Sequence, residues 1–471
     1  METLLIRDVE IAGLSGLDVR LRDGRVAEIG PYLSRGGTEV DGGGGALIPG
    51  LADHHIHLLA LAARADSVSL DGEGPAALAV RLVAAASVRP RGAWIRAIGY
   101  HEAGAPLLDR DVLDMLAPHH PIRAQHRTGA LWVLNSAALR QVLGPETPDC
   151  VERDATGRAT GRIWRGDAWL SERIPRAPPP LAPVGADLAR RGITALTDAS
   201  ATTNAVSAGL IADAVRAGEL PQRVTLMSRQ ALEAPIDGAV RVGPMKLLLD
   251  EQDLPEFGAV IEAIGQARAW GRAVAVHCVT ATELAFTLAA FEAAGALPGD
   301  RLEHGGVIPA EAIATIAALG LSVVTQPGFI HAHGDRYLDE VAPEDQAGLY
   351  RCASLLNGGV PVAGSSDAPY VTTDPWSAMR AAVSRLTRAG LDLGPAERLT
   401  PASALNLYLG CAERPGGLPR SVGVGLPADV CLLSAPLRTV LGELDADLVA
   451  ATFIGGRPVY GPAFGWAVAA A

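Results

Sequence analysis

Short β-branched apolar runs recur through the central part of the chain, and Ala/Leu-rich stretches with helical spacing lie between them. The runs near 47–57, 193–198, 223–228, 242–249, 272–277, 300–304, 321–326 and 360–367 read as strands. Strands alternating with helices predict βα units and a parallel sheet, and eight of them predict an α/β fold of the (β/α)8 TIM barrel type. In such a barrel the active site lies at the C-terminal ends of the strands.

The two chain ends carry a different pattern. Residues 1–48 alternate apolar and polar side chains in bursts punctuated by glycine, as in Asp23-Gly24-Arg25-Val26-Ala27-Glu28-Ile29-Gly30. Residues 415–471 repeat it, with Asp429-Val430-Cys431-Leu432-Leu433 and a Gly455-Gly456 turn. The expected organisation is therefore a small β-sandwich built from both ends, enclosing a barrel over 49–414. Strand one is followed by well over a hundred residues before strand two. That interval, about 60–185, holds helical segments and the prolines Pro175, Pro178, Pro179 and Pro180, and it reads as an insertion near the barrel mouth.

Composition narrows the function classes. The chain has 471 residues, enough for one large core with attachments. Its net charge of -12 repels phosphate backbones, which excludes nucleic acid as a partner and leaves a small-molecule substrate. A membrane span needs roughly 18 uninterrupted apolar residues, and none is present, so no membrane association is expected. Five scattered cysteines without a CxxC pair read as reduced thiols, and the N-terminus has no basic segment followed by an apolar stretch. These features point to the cytoplasm, and a homo-oligomer is compatible with them.

Polar residues at the ends of apolar strands carry the chemistry. In Pro49-Gly50-Leu51-Ala52-Asp53-His54-His55-Ile56-His57, residues two apart on a strand face one way, so His55 and His57 can offer two imidazoles to one metal while His54 points away. An isolated HxH is as often a chance pair of polar residues. Here the placement repeats: Lys246 sits within Val242 to Leu249, His277 closes Ala273 to Val276, His304 follows Arg301-Leu302-Glu303, and Asp367 ends Val360 to Ser366. A lone lysine on a buried strand costs several kcal/mol unless neutralised or paired. Together these residues form a ligand set for one or two divalent metals.

With these motifs the sequence resembles the amidohydrolase superfamily, specifically its long-chain branch, amidohydrolase family 3. The resemblance covers nearly the whole chain. It includes Leu47 to Leu58, Leu134-Asn135-Ser136-Ala137-Ala138-Leu139, Gly192 to Asp198, Lys246 to Asp250, Arg301 to His304, Thr325-Gln326-Pro327, Gly364-Ser365-Ser366-Asp367-Ala368-Pro369 and Gly423 to Asp429. It implies a metal-dependent hydrolase acting on a C–N bond of an amide, carbamate, urea or related carbonyl compound. His55 and His57 would bind the more buried metal, a carboxylated Lys246 would bridge to a second metal held by His277 and His304, and Asp367 would ligate the buried metal and accept the proton of the attacking water. Zinc is the expected metal, with cobalt or manganese as alternatives.

The chain departs from the family at Thr128-Gly129-Ala130, where relatives commonly carry Asp-Gly-His, and at Glu251, where glycine is usual. Substrate recognition therefore falls to local candidates: Tyr100, His101, His126, Arg127, Trp132, His331 and His333. Two other functions compete. A mononuclear deaminase of a heterocycle would dispense with the lysine and use an acid such as Glu283 as proton shuttle. A catalytically inactive barrel serving as an interaction scaffold would lose ligands, and this chain retains all six.

Overall fold

The computed structural model of the chain describes residues 3–70, 75–101, 108–126, 128, 130–174, 178–233, 238 and 240–461. Residues 1–58 with 181–471 form one compact unit, and 59–180 form a second.

In the first unit eight parallel strands follow one another in chain order around a sheet: β1 (Leu51–Ile56), β2 (Ile193–Asp198), β3 (Arg223–Ser228), β4 (Val240–Leu247), β5 (Val274–Cys278), β6 (Arg301–His304), β7 (Ser322–Thr325) and β8 (Val362–Gly364). They are largely buried, apart from Arg241 to Pro244 of β4, as strands of a parallel sheet covered by helices are. The gap between β8 and β1 is bridged just beyond their ends. There the Asp367 N–H donates to the His55 carbonyl at 2.8 Å, and the His57 N–H to the Ala368 carbonyl at 2.9 Å. The eight-stranded α/β barrel expected from the hydrophobic pattern is thus present.

The predicted strand 47–57 is divided. Leu47–Pro49 pairs antiparallel with Val430–Leu433 in a separate four-stranded sheet, and only Leu51–Ile56 enters the barrel. Gly50 makes the break: a Cβ there would lie 2.1 Å from Thr194 Cγ2, so only glycine lets the chain pass β2 this closely. A second four-stranded sheet takes its strands from residues 3–41, and the two sheets share a core that includes Ile6, Val19, Leu21, Val430, Leu432 and Phe453.

The second unit holds the helical segments expected there and, in addition, a sheet that the pattern does not show. It contains a six-stranded mixed sheet in the order Val151–Arg153, Ala159–Trp164, Leu131–Leu134, Ile122–His126, Ile95–Tyr100, Val68–Ser69. These strands have two to six residues, too short for period-2 alternation to stand out against the intervening helices.

Candidate metal centre

Alternation along β1 sends His55 and His57 to the same side, and the loop leaving β8 brings Asp367 against both. His55 Nε2 lies 3.4 Å and His57 Nε2 3.2 Å from Asp367 Oδ1. One ligand atom from each of the three falls within 4.8 Å of the others. From the end of β6, His304 places Nδ1 3.8 Å from Asp367 Oδ2, with its ring centroid 4.7 Å from that of His55. His277, at the end of β5, stands 4.5 Å from the His304 ring. Lys246 is buried on β4, in register with Ala275 of β5.

Two of these residues hold backbone conformations that L-amino acids avoid: His304 at φ +72° and Asp367 at φ +54°. Each such residue costs on the order of 1–3 kcal/mol, and strain of this kind gathers at functional sites. At His304 its effect is visible. Consecutive strand residues normally face opposite sides, yet both Glu303 and His304 approach His55. The glycine before the Asp367 loop is needed for packing, because a Cβ on Gly364 would meet the Tyr408 ring at 2.5 Å.

Three of the imidazoles have Nδ1 held by a neighbour, which leaves Nε2 as the donor. His55 Nδ1 makes a very short contact with the Glu303 carboxylate. His57 Nδ1 lies 3.1 Å from Ser200 Oγ, and Ser200 is itself tied to Asp198 through its N–H at 3.1 Å. His304 Nδ1 lies 3.0 Å from Gln326 Oε1, whose amide nitrogen donates to Ser365 Oγ at 3.0 Å. Partners of this kind fix ring orientation and tautomer at metal sites. Glu303, Ser200 and Gln326 have no role assigned from sequence. The available signal is Glu303 itself, a carboxylate on a fully buried strand and two residues from Arg301, with which it forms a buried ion pair.

The electrostatics suit a cation. Burial pushes His55, His277 and His304 below the usual imidazole range, His277 to about 4, with Lys246 adding to the effect at His55 and His277. They are therefore neutral and able to ligate at pH 7. Burial would raise the Asp367 carboxyl, but the facing His55, His57 and His304 outweigh it and hold the group at about 2. Glu303 is likewise held well below the carboxylate range against its burial, by Arg301, Lys246 and His55. Burial lowers the Lys246 amine, and Glu303 opposes that shift.

Three buried atoms here have no hydrogen-bond partner among the described residues: His55 Nε2, Asp367 Oδ1 and Lys246 Nζ. An unsatisfied buried polar group costs about 1–3 kcal/mol. A divalent cation among these imidazole nitrogens and the carboxylate would satisfy the first two. Nitrogen and oxygen donors of this type suit zinc, cobalt or manganese. The residues present fit a divalent metal.

The remaining sequence candidates lie elsewhere. His54 is buried without hydrogen-bond partners on its ring, outside the cluster, and burial together with Arg301 and Arg420 pushes it down to about 3. Glu283 serves as a helix cap: its carboxylate accepts from the N–H groups of Val279 at 2.6 Å, Thr280 at 3.1 Å and Glu251 at 3.2 Å, which ties up the acid the deaminase reading needs. His331 is exposed and His333 half-buried on the helix Gly328–Glu340. Both line a cavity of about 370 Å³ that also touches Ser365, Ser366 and Tyr370, beside Asp367. Tyr100, His101, His126 and Trp132 belong to the second unit. The Tyr100 hydroxyl accepts from the Leu108 N–H at 2.6 Å, His101 is half-buried, His126 Nδ1 lies 2.8 Å from Thr128 Oγ1, and Trp132 packs in that unit's core. Arg127 lies outside the described residues.

The amidohydrolase family profile matches residues 38–460. Among curated proteins, the N-substituted formamide deformylase of Arthrobacter pascens is 27% identical over 524 aligned positions, covering 96% of each chain. LONG AFTER FAR-RED 3 of Arabidopsis thaliana is 23% identical, covering 93% of this chain and 88% of its own. Among solved structures, an uncharacterized metal-dependent hydrolase of Pyrococcus horikoshii superimposes with a TM-score of 0.75 at 20% identity, over 95% of this chain and 99% of that one.

Proposed function

The chain belongs to the amidohydrolase family, and from that premise we propose that it is a metal-dependent hydrolase in which His55, His57, Lys246, His277, His304 and Asp367 hold one or two divalent ions for cleavage of a C–N bond in an amide, carbamate, urea or related carbonyl compound. The observation that carries this reading is the convergence of His55 Nε2 and His57 Nε2 on a single oxygen of Asp367, with no competing hydrogen bond on His55 Nε2 or on that oxygen. A bound divalent cation supplies Lewis acidity, lowering the pKa of water from 15.7 to about 7 and polarising a carbonyl oxygen.

The residues have distinct tasks. Asp367, anionic and facing both imidazoles of β1, takes the proton of the attacking water and returns it to the departing nitrogen. Glu303 and Ser200 hold His55 and His57 in the orientation that presents Nε2. Lys246 is the residue that an unmodified site accommodates worst, as a buried amine without a partner. Burial favours its neutral form, and a neutral amine adds carbon dioxide to give a carbamate with release of one proton. The carbamate offers anionic oxygens where an ammonium would repel a cation.

The first compounds to test are N-substituted formamides, because a relative alignable over nearly the full chain carries that activity in its name. Amides, carbamates and ureas follow, each with zinc, cobalt or manganese added. Amine release that depends on added metal and disappears with a chelator is the expected result. Metal-loaded protein that turns over none of these classes would overturn the reading.

A further inference from the structure

In the second unit, Arg96 and Arg123 are direct cross-strand neighbours on the parallel pair Ile95–Tyr100 and Ile122–His126. Both are half-buried. Their guanidinium carbons lie 5.9 Å and 5.3 Å from the centre of the Trp132 ring, which is itself buried on the adjacent strand Leu131–Leu134. Two like charges side by side in a partly desolvated place are unfavourable unless something neutralises them.

Among the described residues no carboxylate does so. Arg96 donates from Nη1 to Ser67 Oγ at 3.0 Å, and among the described residues neither arginine makes an ion pair. Asp66 exerts a weak pull on Arg96, but its carboxylate lies near Arg89 at 3.9 Å, and Arg64 adds a further positive charge. Burial, and then Arg96, lower the Arg123 guanidinium to about 10. Contact with Trp132 supports the cations without using up their N–H edges. Each guanidinium carries five donors in a planar fork suited to an oxyanion.

We propose that Arg96 and Arg123, propped on Trp132, form a binding site for the oxyanion of a small molecule, a carboxylate or phosphate. The site neutralises the paired charges only when filled. The anion is a small-molecule ligand held by the second unit itself, whether or not turnover occurs.

The test uses the full-length protein, without added metal, at low ionic strength. Titration calorimetry with succinate and with inorganic phosphate should show saturable binding of at least one probe, weakened about tenfold or more in both Arg96→Gln and Arg123→Gln. In the ligand-free state these variants should melt at or above the wild-type temperature, because each removes half of a like-charge pair; a purely structural arginine–tryptophan stack would instead lose stability. Arg123→Lys should restore binding only in part, since a point charge replaces the fork. Equal affinity of wild type and both variants for succinate and phosphate, or no binding of either by the wild type, would overturn the proposal.

Discussion

At the end of the barrel, His55 and His57 each have Nδ1 held by a neighbour and Nε2 turned to one oxygen of Asp367, while His304, held through Nδ1 by Gln326, and the carboxylate Glu303 stand beside them. On the sheet of the second unit, Arg96 and Arg123 stand side by side, and among the described residues their partners are an aromatic ring and a serine hydroxyl. The first region gathers imidazole nitrogens around a carboxylate oxygen, a donor set that suits a divalent cation. The second gathers two guanidinium groups that no carboxylate pairs among the described residues, a donor set that suits an anion. In both, the missing charge can be inferred from what the surrounding side chains leave unsatisfied, and the ligand classes differ because the unsatisfied groups do.

The comparison is broken most sharply at Asp367. Replacement by Asn keeps the shape but removes both the proton acceptor and a unit of negative charge, so kcat should fall by several orders of magnitude with the circular dichroism spectrum unchanged. Near-normal turnover would remove Asp367 from the chemistry. Lys246→Ala comes next. It should lose at least one metal equivalent by elemental analysis together with activity, and a short carboxylic acid in solution should restore part of the turnover. A crystal grown near neutral pH with bicarbonate should show density for the carbamate; a plain lysine tip pointing away from the metals would reject it.

Glu303→Gln tests whether orientation matters as the hydrogen-bond pattern implies. Metal affinity should fall 10–100-fold, as is typical when the partner of a ligating histidine is lost. The melting temperature should fall too, because Arg301 is left buried without its counter-charge. Unchanged affinity would demote the contact to a structural ion pair. The smallest expected effect lies in the second unit. Changing Trp132 or His101 should alter KM or substrate preference more than metal content, and loss of metal from such variants would contradict a substrate role for that segment.

The barrel was legible because its strands are continuous apolar runs: β2 and β3 lie where the pattern places them, and β5 to β7 differ by a few residues at most. Most of the candidate ligands stood out because, like Lys246 and His277, they interrupt or close such a run with a residue that the interior would otherwise exclude, and His304 and Asp367 stood out by their place at a strand's end. Less was readable where backbone conformation decides. β8 ends at Gly364, three residues earlier than the apolar pattern suggests, because Ser365 to Asp367 leave the strand and Asp367 turns to positive φ. The placement of Glu303 beside His55 depends on residues 248 positions apart, and the twist at His304 that lets both neighbours face the site has no signature in composition. The sheet of the second unit was hidden by the shortness of its strands. The pairing of Arg96 with Arg123 follows from that sheet's register and from nothing local in sequence.

Elemental analysis combined with anomalous diffraction tests most directly whether His55 and His57, at the end of β1, and Asp367, three residues beyond β8, hold a divalent metal. Purified protein supplied with zinc, cobalt or manganese and then dialysed should retain two equivalents per chain, with one anomalous peak among His55, His57 and Asp367 and the other beside Lys246, His277 and His304. A single retained ion would favour the mononuclear reading. A folded protein that binds no metal at His55, His57 and Asp367 would contradict the account and leave the barrel as a scaffold.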